Sequence, residues 1–130
     1  MTHERQRVKC TVPVRTVSEA NQREHWAATH RRKKQQQQLV GRAMARMINL
    51  GEQWPKADLV VTMCRVATTA MDTDGLDISF KHVRDAVAKL LGRGDAPRDR
   101  IEWRPDQRKR TKSEPKYSVE IAIYSVEDGG

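Results

Sequence analysis

Two aspartates one residue apart are the residues of this sequence that most clearly suggest chemistry. Asp72 and Asp74 flank Thr73 and are followed by Gly75, which is the composition of a polar turn. Carboxylate oxygens at this spacing can converge on one hard cation such as Mg²⁺. A cation held there would bridge a scissile phosphate and activate a water molecule, as in metal-assisted phosphodiester hydrolysis.

A lysine follows at a spacing that could serve the same reaction. Lys81 lies seven residues after Asp74, or two helical turns, so both side chains can project from one helix face and the lysine could neutralise a phosphate oxygen. The alternative is a ladder of ion pairs on an exposed helix, formed by residues of alternating charge four positions apart: Asp77, Lys81, Asp85 and Lys89. Spacing alone favours the ladder, because a single D-x-D is a weak signal.

The charge of the chain indicates a polyanionic partner. The sequence has 25 Lys and Arg against 17 Asp and Glu, a net charge of +8. The first 50 residues carry 11 basic against 3 acidic residues, and the remaining 80 carry 14 of each, so the whole excess lies in the first part. Carboxylates repel phosphate, and a metal ion would remove the conflict between the acidic cluster and a nucleic-acid partner.

Two groups of basic residues are expected to contact the DNA backbone. The first lies on the N-terminal helix and comprises Arg23, Arg31, Arg32, Lys33 and Lys34. The second lies at a predicted hairpin tip and comprises Arg108, Lys109, Arg110 and Lys112. The alternative for the run at 31–34, which four glutamines follow, is a solvated helix surface.

Hydrophobic periodicity predicts the element order β-α-β-α-β-β. The predicted strands cover residues 8–14, 59–66, 101–104 and 117–123. Helical structure is predicted over about 20–49, as one long helix or two joined ones, and over about 76–91. Ser18 is a predicted helix N-cap, and glycines at 51, 92 and 94 are predicted stops. We therefore expect one α/β (α+β) domain over residues 1–130, with two main helices packed on a mixed sheet.

Several classes of protein are not indicated. Cys10 and Cys64 stand alone, so neither a zinc site nor a disulfide framework is expected. No apolar run approaches the roughly 18 residues of a membrane span, and the polar start does not resemble a secretory signal. We expect a cytoplasmic protein with no membrane contact.

The stretch from Asp72 to Trp103 resembles the phage and prophage branch of the RusA family of Holliday-junction resolvases. That branch shows a D-x-D-N-L turn, a helix bearing K-x-V-R-D, a glycine, an Asp-rich loop and an I-x-W strand. The matching segments here are residues 72–76, residues 81–85, Gly92, the loop at 94–99 and residues 101–103. Residues 18–21 and 23–26 are also similar to that branch.

The resemblance implies a homodimeric, metal-dependent endonuclease of DNA recombination and repair. Such an enzyme binds four-way DNA junctions and uses Mg²⁺ or Mn²⁺ to cut two strands symmetrically. By position, Asp72 and Asp74 would be metal ligands and would take part in catalysis. Lys81 would contact the phosphate, and Asp85 would be a supporting carboxylate.

Two departures from the family pattern leave alternatives open. The family usually has adjacent aspartates in the loop where Asp95 and Asp99 are separated by three residues, so either could be the remaining metal ligand, and Asp95 is favoured. Gly75 stands where the family usually has asparagine. The main alternative is a non-catalytic protein that binds branched DNA through a degenerate site, and another is a nuclease acting on flaps or forks.

Overall fold

A computed structural model of the chain describes residues 2–16, 26–45, 58–93 and 100–128. In chain order they form β1 (Thr2–Val12), α1 (Trp26–Ala43), β2 (Leu59–Ala67), α2 (Thr73–Ser79), α3 (Lys81–Leu90), β3 (Ile101–Lys109) and β4 (Tyr117–Asp128). The predicted cap Ser18 and the predicted stops Gly51 and Gly94 lie outside the described residues.

The strands of the described residues form one mixed sheet in the order β1-β4-β2-β3. β4 is antiparallel to both β1 and β2, whereas β2 and β3 are parallel. β1, β2 and β3 therefore all end where β4 begins, and we call this the carboxyl end of the sheet. The expected α+β fold with a mixed sheet is confirmed.

The hydrophobic core lies between the sheet and the helices. Its fully buried members include Val61 and Met63 of β2, Ile121 and Ile123 of β4, Val40 of α1, and Phe80, Val83 and Val87 from the segment of α2 and α3. The prediction that 59–66 is a central strand is confirmed, because β2 lies between β4 and β3. Val60 and Val66, whose side chains point away from this core, are also buried, as a continuous apolar run requires.

α1 covers the middle of the helical region predicted over 20–49. It ends at Ala43, where the Met44 N–H closes the last turn by donating to the Val40 carbonyl at 3.0 Å. Residues 20–25 and 46–49 of the predicted region lie outside the described residues. Within the described ranges, no helix is both long and apolar enough to cross a membrane.

The helix predicted over 76–91 is in fact two helices, and it begins earlier. α2 starts at Thr73, and the break falls at Phe80, whose N–H donates to the Asp77 carbonyl at 3.2 Å, only three residues back. This tighter turn ends α2 before α3 begins at Lys81. The predicted stop at Gly92 is confirmed, since this residue has a φ of +66°, which favours glycine.

β3 and β4 do not form the predicted hairpin, because β2 lies between them. Lys109 and Tyr117 both pair with Ala67 of β2, so residues 110–116 cross the end of that strand. The Arg110 N–H donates to the Ala67 carbonyl at 3.0 Å and fixes the start of this crossing loop. Sequence pattern indicated two strands with a short connection, which is typical of a hairpin, but did not indicate which strand would pair with which.

Replacement of Phe80 should test how far the junction of α2 and α3 depends on this ring. Because Phe80 is 0% exposed, Phe80→Ala should lower the free energy of unfolding by about 3–5 kcal/mol. Urea unfolding followed by circular dichroism measures the loss. The exposed Lys89→Ala is the matched control, with an expected change within about 0.5 kcal/mol. Equal losses in the two variants would contradict the assigned packing.

Candidate functional site

Asp72 caps the helix that follows it. Its Oδ1 accepts a hydrogen bond from the Gly75 N–H at 2.6 Å, and its carbonyl accepts one from the Leu76 N–H at 2.9 Å. Aspartate is among the best residues for this role, because it satisfies a backbone donor that has no partner within the helix. The side chain is exposed, and Oδ2 makes no hydrogen bond with any described residue. Asp72 therefore combines a structural role with one oxygen that a ligand can reach.

Asp74 lies in the first turn of α2, so the polar turn predicted for Asp72 to Gly75 is wrong after Asp72. Only Asp72 keeps extended backbone angles (φ −67°, ψ 165°), since its cap allows the helix to start at Thr73. Asp74 is exposed, and a negative charge in the first turn interacts favourably with the helix dipole. Two exposed carboxylates thus lie together at the start of α2.

Gln107 of β3 holds the chain immediately before these carboxylates. Its Oε1 accepts from the Met71 N–H at 2.9 Å, and its Nε2 donates to the Met71 carbonyl at 2.7 Å. A second anchor is Arg65 of β2, which donates to the Thr69 carbonyl at 2.6 Å. The segment from β2 to α2 is therefore fixed by side chains of two neighbouring strands. Sequence analysis missed both anchors, since it ended the third strand at Arg104.

The predicted charge ladder is not present in its predicted form. Asp77 pairs with Arg84, at 3.0 Å between Oδ1 and the guanidinium, rather than with Lys81. Because the chain tightens at Phe80, positions 77 and 81 are not on one continuous helix. Within the described residues, Lys81 and Asp85 make no ion pair, and both are exposed. The side chain of Lys81 is therefore available to an external anion.

The described residues contain part of the predicted metal site. Among them, no three side chains of the kinds that bind metals form a group. Asp72 and Asp74 supply oxygen donors suited to Mg²⁺ or Mn²⁺, but Asp95 and Asp99, the predicted remaining ligands, lie outside the described residues. The donor chemistry of the two described aspartates fits a hard divalent cation.

The basic residues predicted on the N-terminal helix are only partly solvated. Arg31 and Lys34 are exposed, whereas Arg32 and Lys33 are half-buried. The run is followed by Gln36, which is only 2% exposed and packs towards the sheet. Arg23 lies outside the described residues. This surface of α1 is therefore a mixture of packing and exposed charge.

The second predicted basic group is largely engaged in interactions with its own loop. Arg108 pairs with Glu114 at 2.6 Å and with Glu120 at 2.5 Å, and these contacts raise its pKa. Arg110 donates to the Glu114 carbonyl at 2.9 Å and to the Pro115 carbonyl at 3.2 Å. Both residues stabilise the crossing loop. Lys109 and Lys112 are exposed and keep their predicted availability to phosphate.

Both cysteines are free thiols in strands, as the sequence predicted. Burial raises the pKa of Cys10. Burial also raises the pKa of Cys64, and the nearby carboxylates of Asp106 and Glu120 add to this effect. Neither thiol has the lowered pKa of a nucleophilic cysteine.

No protein-family model matches the sequence, and the search of curated proteins finds no significant match.

The Gln107 anchor can be tested by removing its hydrogen bonds while keeping its approximate size. Gln107→Leu should lower the free energy of unfolding by about 1–3 kcal/mol, because both backbone groups of Met71 lose their partner. The Met71 amide should also exchange with deuterium faster. Gln38→Leu, at an exposed position of α1, is the control. Unchanged protection at Met71 would refute the anchor.

The pH dependence of the crossing loop follows from Glu114. Its hydrogen bonds to Arg108 and to the Thr111 N–H lower its pKa from 4.5 to about 2. A carboxylate with a lowered pKa in the folded state stabilises the fold fully above pH 4.5, and this contribution is lost as the pH falls towards 2.

A carbon-13 NMR titration of the Glu114 carboxyl measures this pKa directly. In Arg108→Gln the same group should titrate closer to 4.5, because the largest cause of the shift is removed. The same titration midpoint in both proteins would contradict the assigned ion pair.

Proposed function

We propose that this chain is a metal-dependent DNA endonuclease of the RusA Holliday-junction resolvase type. The observation that carries the proposal is the pair of exposed carboxylates, Asp72 and Asp74, held on a segment anchored by Gln107 in a chain of net charge +8. Carboxylates that face a polyanion are favourable only with a cation between them. The order of the RusA-like motifs along the chain supports the same class.

The proposed roles follow the exposure and chemistry of each side chain. Asp72, through its free Oδ2, and Asp74 would hold Mg²⁺ or Mn²⁺, together with Asp95 or Asp99 from the loop at 94–99. The bound cation would supply electrophilic activation of the phosphate and a water of lowered pKa.

Two further residues of α3 would act beside this pair. Lys81 is exposed and makes no ion pair with a described residue, so its ammonium group can contact a phosphate oxygen. Asp85, one helical turn later and also exposed, would be a supporting carboxylate beside this lysine.

The proposed substrate is branched DNA, and the proposed active form is a homodimer. A four-way junction with two-fold symmetry needs two matched incisions, and two copies related by a two-fold axis present two identical sites. The exposed cations Arg31, Lys34, Lys109 and Lys112 would contact the backbone without reading bases. Such an activity would operate in the cytoplasm, on phage or host DNA.

A second function is favoured by one specific observation. Asp72 already serves as a helix cap through the Gly75 N–H, so its presence has a structural reason that needs no metal. A protein of this kind would bind branched DNA without cutting it. The two functions predict different effects on DNA cleavage when the charge of Asp72 is removed.

Replacement of each aspartate by asparagine separates capping from catalysis. Asn caps a helix about as well as Asp, so Asp72→Asn should change the free energy of unfolding by less than about 0.5 kcal/mol. Cleavage of a labelled four-way junction in Mg²⁺ or Mn²⁺ should fall at least a hundredfold in Asp72→Asn and in Asp74→Asn. Binding of the junction in EDTA should persist. A denaturing gel and a gel-shift assay measure the two quantities.

Asp58→Asn is the matched control, since Asp58 is exposed and precedes β2. It should cut as the unmodified protein does, with paired symmetric nicks that EDTA abolishes. Cleavage that survives both Asp72→Asn and Asp74→Asn would overturn the site. A junction that is bound but uncut in every metal would favour the binding-only function.

A further inference from the structure

A cavity of about 270 Å³ lies between the end of β1, the middle of α1 and the start of β4. Its polar and aromatic lining comprises Arg15, Arg32, Gln35, Gln36, Lys116 and Tyr117. No aspartate or glutamate of the described part of the chain lines it. Among the described residues, the charged side chains in its walls are therefore all positive.

The cations of this cavity differ from the surface arginines that form ion pairs. The guanidinium of Arg15 lies 4.9 Å from the centroid of the Tyr117 ring, and the ammonium of Lys116 lies 5.7 Å from it. Neither cation makes an ion pair with a carboxylate of the described residues. Arg84 and Arg104, by contrast, bind carboxylates at 3.0 and 2.6 Å. Positive charge at Arg15 and Lys116 is thus available to an external anion.

A third cation, Arg65 of β2, adds to the positive potential near Arg15. Arg65 lies on the face of the sheet that carries Tyr117 and is only 7% exposed. Its guanidinium donates to the Thr69 carbonyl. Burial lowers its pKa, the nearby Tyr117 opposes this shift, and the charge of Arg15 adds to it. An anion bound beside Arg15 would reduce the repulsion between Arg15 and Arg65.

The wall of the cavity also holds a buried polar atom without a partner. Gln36 is 2% exposed, and its Nε2 donates to the Arg15 carbonyl at 3.2 Å, which fixes the backbone that carries Arg15. Its Oε1 has no hydrogen-bond partner among the described residues. The Oγ1 of Thr16, the buried residue after Arg15, is likewise unpaired among them, although Thr16 does not line the cavity. A buried polar atom left unpaired costs about 1–3 kcal/mol. Unpaired buried polar atoms of this kind are more typical of a ligand-binding site than of a packed core.

The cavity lies at the same end of the sheet as the candidate aspartates. Tyr117 pairs with Ala67, the last residue of β2, and Asp72 follows five residues later. Arg65, which contributes to the potential near the cavity, also anchors Thr69 on the path to Asp72. A DNA strand that reaches Asp72 can therefore pass the cavity without leaving the carboxyl end of the sheet.

We propose that this cavity binds a phosphodiester of the nucleic-acid backbone through Arg15 and Lys116. The inference rests on the proposed function for its choice of DNA as the ligand. It assigns two cations that sequence analysis did not single out, and it places their backbone contact beside Arg32 of the predicted group on α1.

The salt dependence of DNA binding tests the assignment. Fluorescence anisotropy of a labelled four-way junction, in EDTA and at several salt concentrations, gives the slope of log K against log salt. Arg15→Gln and Lys116→Gln should each reduce the magnitude of this slope by about 0.9, the value for one lost phosphate contact, and weaken binding roughly eightfold in 0.1 M salt. The double variant should lose roughly sixtyfold.

Arg104→Gln is the matched control, because it removes the same charge from a paired arginine. It should leave the slope unchanged. Circular dichroism checks that each variant is folded, and the exposed Lys116 gives an informative variant even if Arg15→Gln is unstable. Equal effects in Lys116→Gln and Arg104→Gln would overturn the proposal.

Two further outcomes separate this proposal from the nuclease function. Binding that depends on Arg15 and Lys116, with no cleavage in any metal, supports the cavity and refutes the nuclease. Cleavage that is unaffected in the double variant, with an unchanged salt slope, refutes the cavity and leaves the nuclease. If inorganic phosphate at low millimolar concentration shifts the Arg15 and Lys116 NMR signals and the junction does not, the ligand is a free anion and the assignment to DNA is wrong.

Discussion

The parallel pairing of β2 with β3 is the constraint on which the rest of the described structure depends. Two parallel strands cannot be joined by a tight turn, so the chain must return along the sheet between them. α2 and α3 lie on this return path, and their buried residues Phe80, Val83 and Val87 complete the core. The path has to start where β2 ends. Asp72 therefore lies at the carboxyl end of the sheet for reasons of topology as well as chemistry.

The same constraint explains which parts of the fold could be predicted. The alternating patterns of β1 and β4 and the apolar run of β2 depend on local burial, and all three strands were recognised. Their bounds were less accurate, since β1 begins at Thr2 rather than Val8 and β4 continues to Asp128 rather than ending at Ile123. Pairing between strands joins residues that are far apart in the sequence. For this reason the sequence pattern wrongly predicted a hairpin of β3 and β4. The third strand runs on past Pro105 to Lys109 because β3 lies at an edge of the sheet, where a residue without an N–H is tolerated.

The aspartates of the candidate site could be predicted from the sequence, but the residues that hold them in place could not. The exposed aspartates were recognisable from their spacing, whereas their anchors were not. Gln107 lies 35 residues after Asp72 in the sequence, and only the parallel register of β2 and β3 brings it to Met71. Net charge also did not indicate which basic residues are available to a ligand. A count of basic residues treats Arg108 and Arg15 alike, although the first is neutralised by two glutamates and the second faces a cavity.

The cap formed by Asp72 has a consequence for metal selectivity under the proposed function. Since Oδ1 is held by the Gly75 N–H at 2.6 Å, this carboxylate has one oxygen to offer without disrupting the start of α2. Ligation through single oxygens, completed by waters, suits the octahedral shell of Mg²⁺, whereas Ca²⁺ takes about 6–8 ligands and often uses both oxygens of a carboxylate. Under the proposed function, bidentate coordination by Asp72 would compete with this cap for Oδ1. The start of α2 would then favour ligation through one oxygen, and with it the smaller ion.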